Sequence, residues 1–141
     1  MKPCSAPGDG AKAPAPRKAH ILVVEDEVLI RMMVSDAFRD EGHSVIEAFN
    51  GDEAADLLMT GKAVDLIFSD VRMPGSLDGL GLLALVRDRF PDVPVILTSG
   101  HLEPREAMAE GARCFIGKPY LLGEVLTLVA RELAEQDDPA K

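Results

Sequence analysis

The stretch VDLIFSDVRMPG, residues 64 to 75, decides the fold. It runs mostly apolar as far as Ser69, arrives at a carboxylate at Asp70, and loses its regularity by Pro74. A buried strand that finishes on a carboxylate needs something to offset the charge, because an unpaired ion is costly to take out of water.

Outward from this stretch, short apolar runs alternate with longer segments of helical period. Strands are expected at 20–25, 43–48, 64–69, 93–99 and 113–117. Helices are expected at 27–42, 50–61, 78–90 and 120–136, with a short one from about 104 to 110. Asn50 is placed to cap the second helix, and Gly42 and Gly61 to stop the first two. The strand runs are continuously apolar instead of alternating, as expected when both faces of a sheet are covered. The pattern is α/β: a (βα)5 parallel sheet with helices on both faces and right-handed crossovers.

The chain has 141 residues, of which 47% are apolar, enough for one domain with its own core. That domain is expected over 19–136. Residues 1–18, with four prolines and nothing periodic to bury, read as a disordered tail, and 137–141 as a frayed one. A formal net charge of −9 without a basic patch argues against nucleic acid and anionic membrane surfaces as direct partners. Cys4 and Cys114 lie in dissimilar contexts and read as reduced thiols. The first 18 residues lack the apolar core of a signal peptide, and no run has the roughly 20 apolar residues of a membrane span. A cytoplasmic protein is the expectation.

In open α/β sheets, functional groups collect at the carboxyl ends of the strands. Here those ends carry Glu25 and Asp26, Asp70, Thr98 and Ser99, and Lys118 followed by Pro119. Singly, each has an ordinary explanation: Asp26 as a helix cap, Asp70 as a turn former, Thr98 as a strand terminus, Lys118 as a solvated cation. On one rim, they acquire a chemistry. Three adjacent carboxylates raise each other's pKa values unless a cation offsets them, and Mg²⁺ suits such oxygen donors. Asp70 becomes a nucleophile able to accept a phosphoryl group, with Mg²⁺, Lys118 and Thr98 supplying positioning and charge neutralisation.

Taken together, ED at 25–26, DVRMP at 70–74, TS at 98–99 and KP at 118–119 resemble the receiver domain of two-component response regulators, over about 20 to 135. The resemblance implies a flavodoxin-like sheet of order 2-1-3-4-5. It implies Asp70 as phosphoacceptor, with Glu25, Asp26, Asp70 and the main-chain carbonyl of Arg72 around Mg²⁺. Lys118 pairs with the acceptor, and its bond to Pro119 is expected to be cis. The resemblance further implies Thr98 as the switch hydroxyl and Phe115 as the switch aromatic. Two departures stand out. MPGSLDG, residues 73–79, carries one residue more than the family's usual loop, and only twelve residues separate Thr98 from Gly111, which shortens the fourth helix.

The implied partners are a histidine kinase or histidine phosphotransfer protein and an output protein that the sequence does not name. The face made by the fourth helix, fifth strand and fifth helix is the expected readout surface and a candidate for homodimerisation. On the first helix, Leu29 and Met32 fall beside a core stripe of Ile30, Met33, Val34 and Ala37, and are candidates to dock the phosphodonor. On the last, Leu122, Val125, Leu126, Val129 and Leu133 form the stripe, with Leu121 and Leu128 outside it. No output domain is expected within the chain, which would be a phosphoacceptor and not a turnover enzyme. The alternatives are a pseudo-receiver scaffold, the receiver fragment of a hybrid histidine kinase, and an aspartyl-phosphate phosphatase. The last wants an acid two residues past the nucleophile, where Arg72 stands. His20, His43 and His101 have no ligand-spaced partner and read as flanking or loop residues.

Overall fold

The structure is a computed structural model and describes residues 18–100, 108–109 and 111–136. Five strands, β1 (His20–Val24), β2 (Ser44–Ala48), β3 (Leu66–Asp70), β4 (Val95–Ser99) and β5 (Cys114–Gly117), form one parallel sheet of order β2-β1-β3-β4-β5. Among the described residues, four helices cover it: α1 (Val28–Asp40), α2 (Gly51–Met59), α3 (Gly79–Arg89) and α4 (Leu122–Gln136). The expected helix at 104–110 lies largely outside the described residues, with 108 and 109 helical. The two expected tails also lie outside, apart from Lys18.

Residue parity along the strands explains the two cores. Leu22, Val24, Ile67, Val95 and Leu97 face α2 and α3, where Ala54, Leu58, Leu82, Leu83 and Val86 fill the layer. Their sequence neighbours Ile21, Val23, Leu66, Phe68 and Ile96 point the other way, against Val34 and Phe38 of α1 and Val125, Val129 and Leu133 of α4. Phe38, Phe68 and Tyr120 run through this second layer edge to face, with successive ring centroids 5.9 Å apart.

Element ends moved by one or two residues, β4 for example starting at Val95 and not at 93, and three expectations needed closer correction. The central strand begins at Leu66 and extends through Asp70: the Asp65 N–H still donates to the His20 carbonyl at 2.7 Å, but the His20 N–H goes to the Asp65 carboxylate at 2.8 Å in place of a main-chain carbonyl. Met33 is 54% exposed, since the inward face of α1 is centred on Val34, Ser35 and Phe38. Leu128 is only 7% exposed, because α4 buries a wide face that also covers Cys114 and Ile96. As expected, Asn50 caps α2, accepting the Glu53 N–H at 2.8 Å.

Candidate functional site

The ladder brings the rim together. Asp70 ends β3 opposite Thr98 of β4, and the Val71 N–H donates to the Thr98 carbonyl at 3.0 Å, carrying the pairing one residue past the acid. Ser99 pairs with Gly117 of β5, and its carbonyl accepts the Lys118 N–H at 3.1 Å. The Lys118–Pro119 peptide bond is cis, as the resemblance implied. Glu25 follows β1, where its N–H donates to the Ala48 carbonyl at 3.0 Å and its own carbonyl accepts from Arg31 Nη1 at 2.9 Å. Arg31 also reaches the Glu47 carboxylate, at 3.2 Å, so it ties the end of β1 to β2. Sequence reasoning passed over it, because a lone arginine on an amphipathic helix carries no distinguishing mark.

Carboxylate oxygens of Glu25, Asp26 and Asp70 lie within 4.8 Å of one another. Lys118 Nζ sits between two of these acids, 3.1 Å from Glu25 Oε1 and 3.1 Å from Asp70 Oδ2. Glu25 Oε2 accepts the Glu27 N–H at 3.0 Å, and Glu27, not Asp26, stands at the N-cap of α1. Glu25 and Asp70 are buried; Asp26 is less so. Arg72 lies in the loop after β3 with its side chain exposed. Phe115 is buried in β5, paired with Leu97 and packed in the α2–α3 layer.

Burial pushes both Asp70 and Glu25 above the ordinary carboxylate range. The Lys118 ammonium opposes this in each case, while Asp26 adds to the rise at Asp70 and Asp70 to the rise at Glu25. Burial also works against the Lys118 charge, but hydrogen bonds and attraction from Asp70 and Glu25 outweigh it and hold the ammonium above its usual value. Three carboxylates therefore face one ammonium, which leaves negative charge in excess. The donors are all hard oxygens, and this set fits Mg²⁺ in kind and charge.

Two buried hydroxyls border the site without a hydrogen-bond partner among the described residues, Thr98 Oγ1 and the Tyr120 hydroxyl. Burial and the charge of Glu25 push the Tyr120 phenol up to about 12. An unmade hydrogen bond at a buried hydroxyl is expensive, so Thr98, directly opposite Asp70, is the feature of the rim most in need of a further group.

Close packing behind the rim is equally specific. A Cβ on Gly79 would collide with the Asp70 carbonyl oxygen and stand 2.6 Å from Val71 Cα. Gly79→Ala is therefore expected to displace the end of β3 and to destabilise the fold by about 2 kcal/mol, read from the urea midpoint. An unchanged midpoint would mean that α3 can retreat without strain.

An open twisted sheet with acids, a hydroxyl and a lysine at the carboxyl ends of its strands defines a class of α/β protein built around one acidic rim. The model of the response regulator receiver domain matches residues 21–130, and the chain belongs to that family, the receiver domains of two-component signalling. Response regulator protein FleR of Pseudomonas aeruginosa is 37% identical over 130 residues, which are 86% of this chain and 27% of FleR. Sensor kinase CckA of Brucella abortus is 37% identical over 123 residues, 84% of this chain and 13% of CckA. The chain thus spans only a minor part of these curated relatives. The crystal structure of the receiver domain of NtrX from Brucella abortus superposes with a TM-score of 0.73 at 39% identity, covering 82% of this chain and 98% of that one. A CheY-like receiver domain protein from Methanospirillum hungatei shares the fold at a TM-score of 0.79 and 22% identity, covering 86% and 98%. Among the described residues, no helix is long and apolar enough to cross a membrane.

Proposed function

We propose that the chain accepts a phosphoryl group from a phosphohistidine onto Asp70 and thereby switches the surface it offers to a partner. An Asp70 carboxylate oxygen attacks phosphorus in line, the P–N bond to the imidazole breaks, and the nitrogen leaves with the electron pair. Lys118, already 3.1 Å from Asp70, meets the charge that the phosphoryl oxygens bring. Glu25, Asp26, Asp70 and the Arg72 carbonyl would hold Mg²⁺, which when bound neutralises charge on the transferred group. The observation that carries this reading is the pairing of a buried Asp70 with a single lysine inside an acidic cluster.

The switch reading rests on Thr98. Its hydroxyl, buried and without a hydrogen-bond partner among the described residues, can donate to a phosphoryl oxygen on Asp70 across the ladder. Phe115 pairs with Leu97, the residue before Thr98, so a shift of β4 there would be felt by the aromatic ring. The new group adds about −1.5 to −2 charges. A full exchange between two states needs roughly 5.5 kcal/mol of preference, to which charge-assisted hydrogen bonds from Thr98 and Lys118 contribute. Among the relatives, FleR is named a response regulator and CckA a sensor kinase. We read the output as a protein partner, in keeping with the net charge of −9.

The phosphodonor docks on α1 in this reading. Val28, Leu29, Met32 and Met33 are all exposed on the helix that starts two residues past Asp26, and Leu29 is 75% exposed. Leu29→Glu is expected to slow transfer from a phosphohistidine protein about tenfold. It should leave the melting temperature and the rate with acetyl phosphate unchanged, since the small donor needs no docking face. Equal slowing with both donors would remove α1 from the interface.

Intact mass after incubation with acetyl phosphate tests the function itself. One phosphoryl adduct that forms with Mg²⁺ and fails with chelator is expected. No adduct from either acetyl phosphate or phosphohistidine would leave a scaffold.

A further inference from the structure

The loop that departs from the family's usual length, residues 72–78, is fixed at its entrance and its exit, packs Met73 against the α2–α3 core, and is hydrogen-bonded to α2 between its ends. Its entrance is fixed, because Val71 donates to the Thr98 carbonyl at 3.0 Å and accepts the Gly79 N–H at 2.8 Å. Its exit is fixed as well. Asp78 Oδ1 accepts the Gly81 N–H at 2.9 Å, and the Leu77 carbonyl rests against Gly51, where a Cβ would collide with it.

Between these ends, residues 72–76 make only two hydrogen bonds among the described residues, both from Ser76 to Asp52 of α2. The Ser76 N–H donates to Oδ2 at 3.1 Å and its hydroxyl to Oδ1 at 2.8 Å. Gly75 permits the approach. Its φ of +103° suits glycine, and a Cβ there would stand 2.7 Å from Asp52 Oδ2. Asp52 lies in the first turn of α2, where both of its carboxylate oxygens are turned to Ser76.

We propose that Asp52 is a positioning residue: through Ser76 it latches the 72–78 loop so that the main-chain carbonyl of Arg72 is held at the acidic rim before Mg²⁺ arrives. This rests on the reading of that rim as a Mg²⁺-dependent phosphoacceptor site. Without the latch, the five residues 72–76 lose the two hydrogen bonds they make among the described residues, and ordering them becomes part of the cost of binding the ion. The longer loop thus comes with its own fastening, made by a side chain outside the Glu25, Asp26 and Asp70 cluster.

The test compares the full chain with D52A, D52N and S76A, by calorimetric Mg²⁺ titration and by amide hydrogen exchange of 72–78 in chelator. Asparagine retains the latch without the charge, since its oxygen can accept the Ser76 N–H and its NH₂ can donate to the Ser76 hydroxyl. D52A should bind Mg²⁺ roughly tenfold more weakly, the low end for groups that orient a metal ligand, and its loop amides should exchange faster. S76A should fall between, and D52N should stay close to the unsubstituted chain. Thermal unfolding in chelator checks that each variant folds. Affinity in D52N as weak as in D52A would make the effect one of charge and overturn the latch. So would a D52A that binds Mg²⁺ as the unsubstituted chain does. An unsubstituted chain that takes up no Mg²⁺ would instead overturn the reading of the rim, and the latch with it.

Discussion

Asp70→Asn is expected to abolish phosphoryl incorporation and, in metal-free buffer near neutral pH, to raise the unfolding temperature by several degrees. The first effect follows from removing the nucleophile. The second follows from the charge imbalance: Asp70 is held above its ordinary pKa chiefly by burial, so its ionised form costs the folded state stability. An amide of the same shape removes that cost and leaves Lys118 paired with Glu25 at 3.1 Å. A gain of about 1 kcal/mol would shift the midpoint of a domain of this size by roughly 4 °C. Mg²⁺ should then do for the unsubstituted chain what the substitution does. At ten times its Kd it contributes about 1.4 kcal/mol, and this increment should shrink in the asparagine variant. Scanning calorimetry with and without Mg²⁺ checks both. An Asp70→Asn chain that melts lower in chelator would show that the Lys118 pair outweighs the burial of the acid.

Lys118→Ala has the opposite signature. It removes the cation that faces Glu25 and Asp70 among the described residues and leaves two buried carboxylates facing each other. Phosphoryl transfer should slow by about 10²-fold, the scale of losing one positioned electrostatic contact. Stability should fall by about 2 kcal/mol at pH 8, below the usual range for breaking a buried pair because the rim opens to water on one side. The pH dependence separates this from lost packing. Glu25 and Asp70 both have raised folded pKa values, so the native chain holds more protons than the unfolded one between the two sets of values. Stability therefore falls as pH rises through that window, and removing Lys118 extends the window upward. The raised pKa of Lys118 contributes stability that is constant from pH 5 to 8 and is lost only in the alkaline range. The variant should lose distinctly more at pH 8 than at pH 5, read from urea midpoints. An equal loss at both values would point to packing of the lysine stem.

Much of the fold was legible because each strand is a short apolar run and the first two helices stop at glycines, Gly42 and Gly61. The strand order and cis Lys118–Pro119 came with the resemblance, and the structure has both. Convergence of Glu25, Asp26, Asp70, Thr98 and Lys118 followed from topology alone, since parallel strands put all their carboxyl ends on one edge. What was not legible depends on contacts distant in sequence. Leu128 was misplaced because counting along a helix assumes a narrow stripe, whereas α4 also covers Ile96 of β4 and Cys114 of the edge strand β5. Met33 was misplaced because Ser35, a polar residue, takes the inward position. The sharing of Lys118 between two acids, and the grip of Asp52 on Ser76 across 24 positions, depend on loop paths that carry no periodic signal. The role of 104–110 in output lies outside the described residues.

The central claim is that the phosphoryl group resides on Asp70, and borohydride trapping tests it most directly. Chain phosphorylated with acetyl phosphate and Mg²⁺ is reduced, digested and mapped by mass spectrometry. An acyl phosphate on Asp70 is reduced to homoserine at position 70 and nowhere else, and this product should vanish when Mg²⁺ is chelated. Phosphate retained on Ser69, Ser76 or Thr98, or homoserine at position 26, would contradict it.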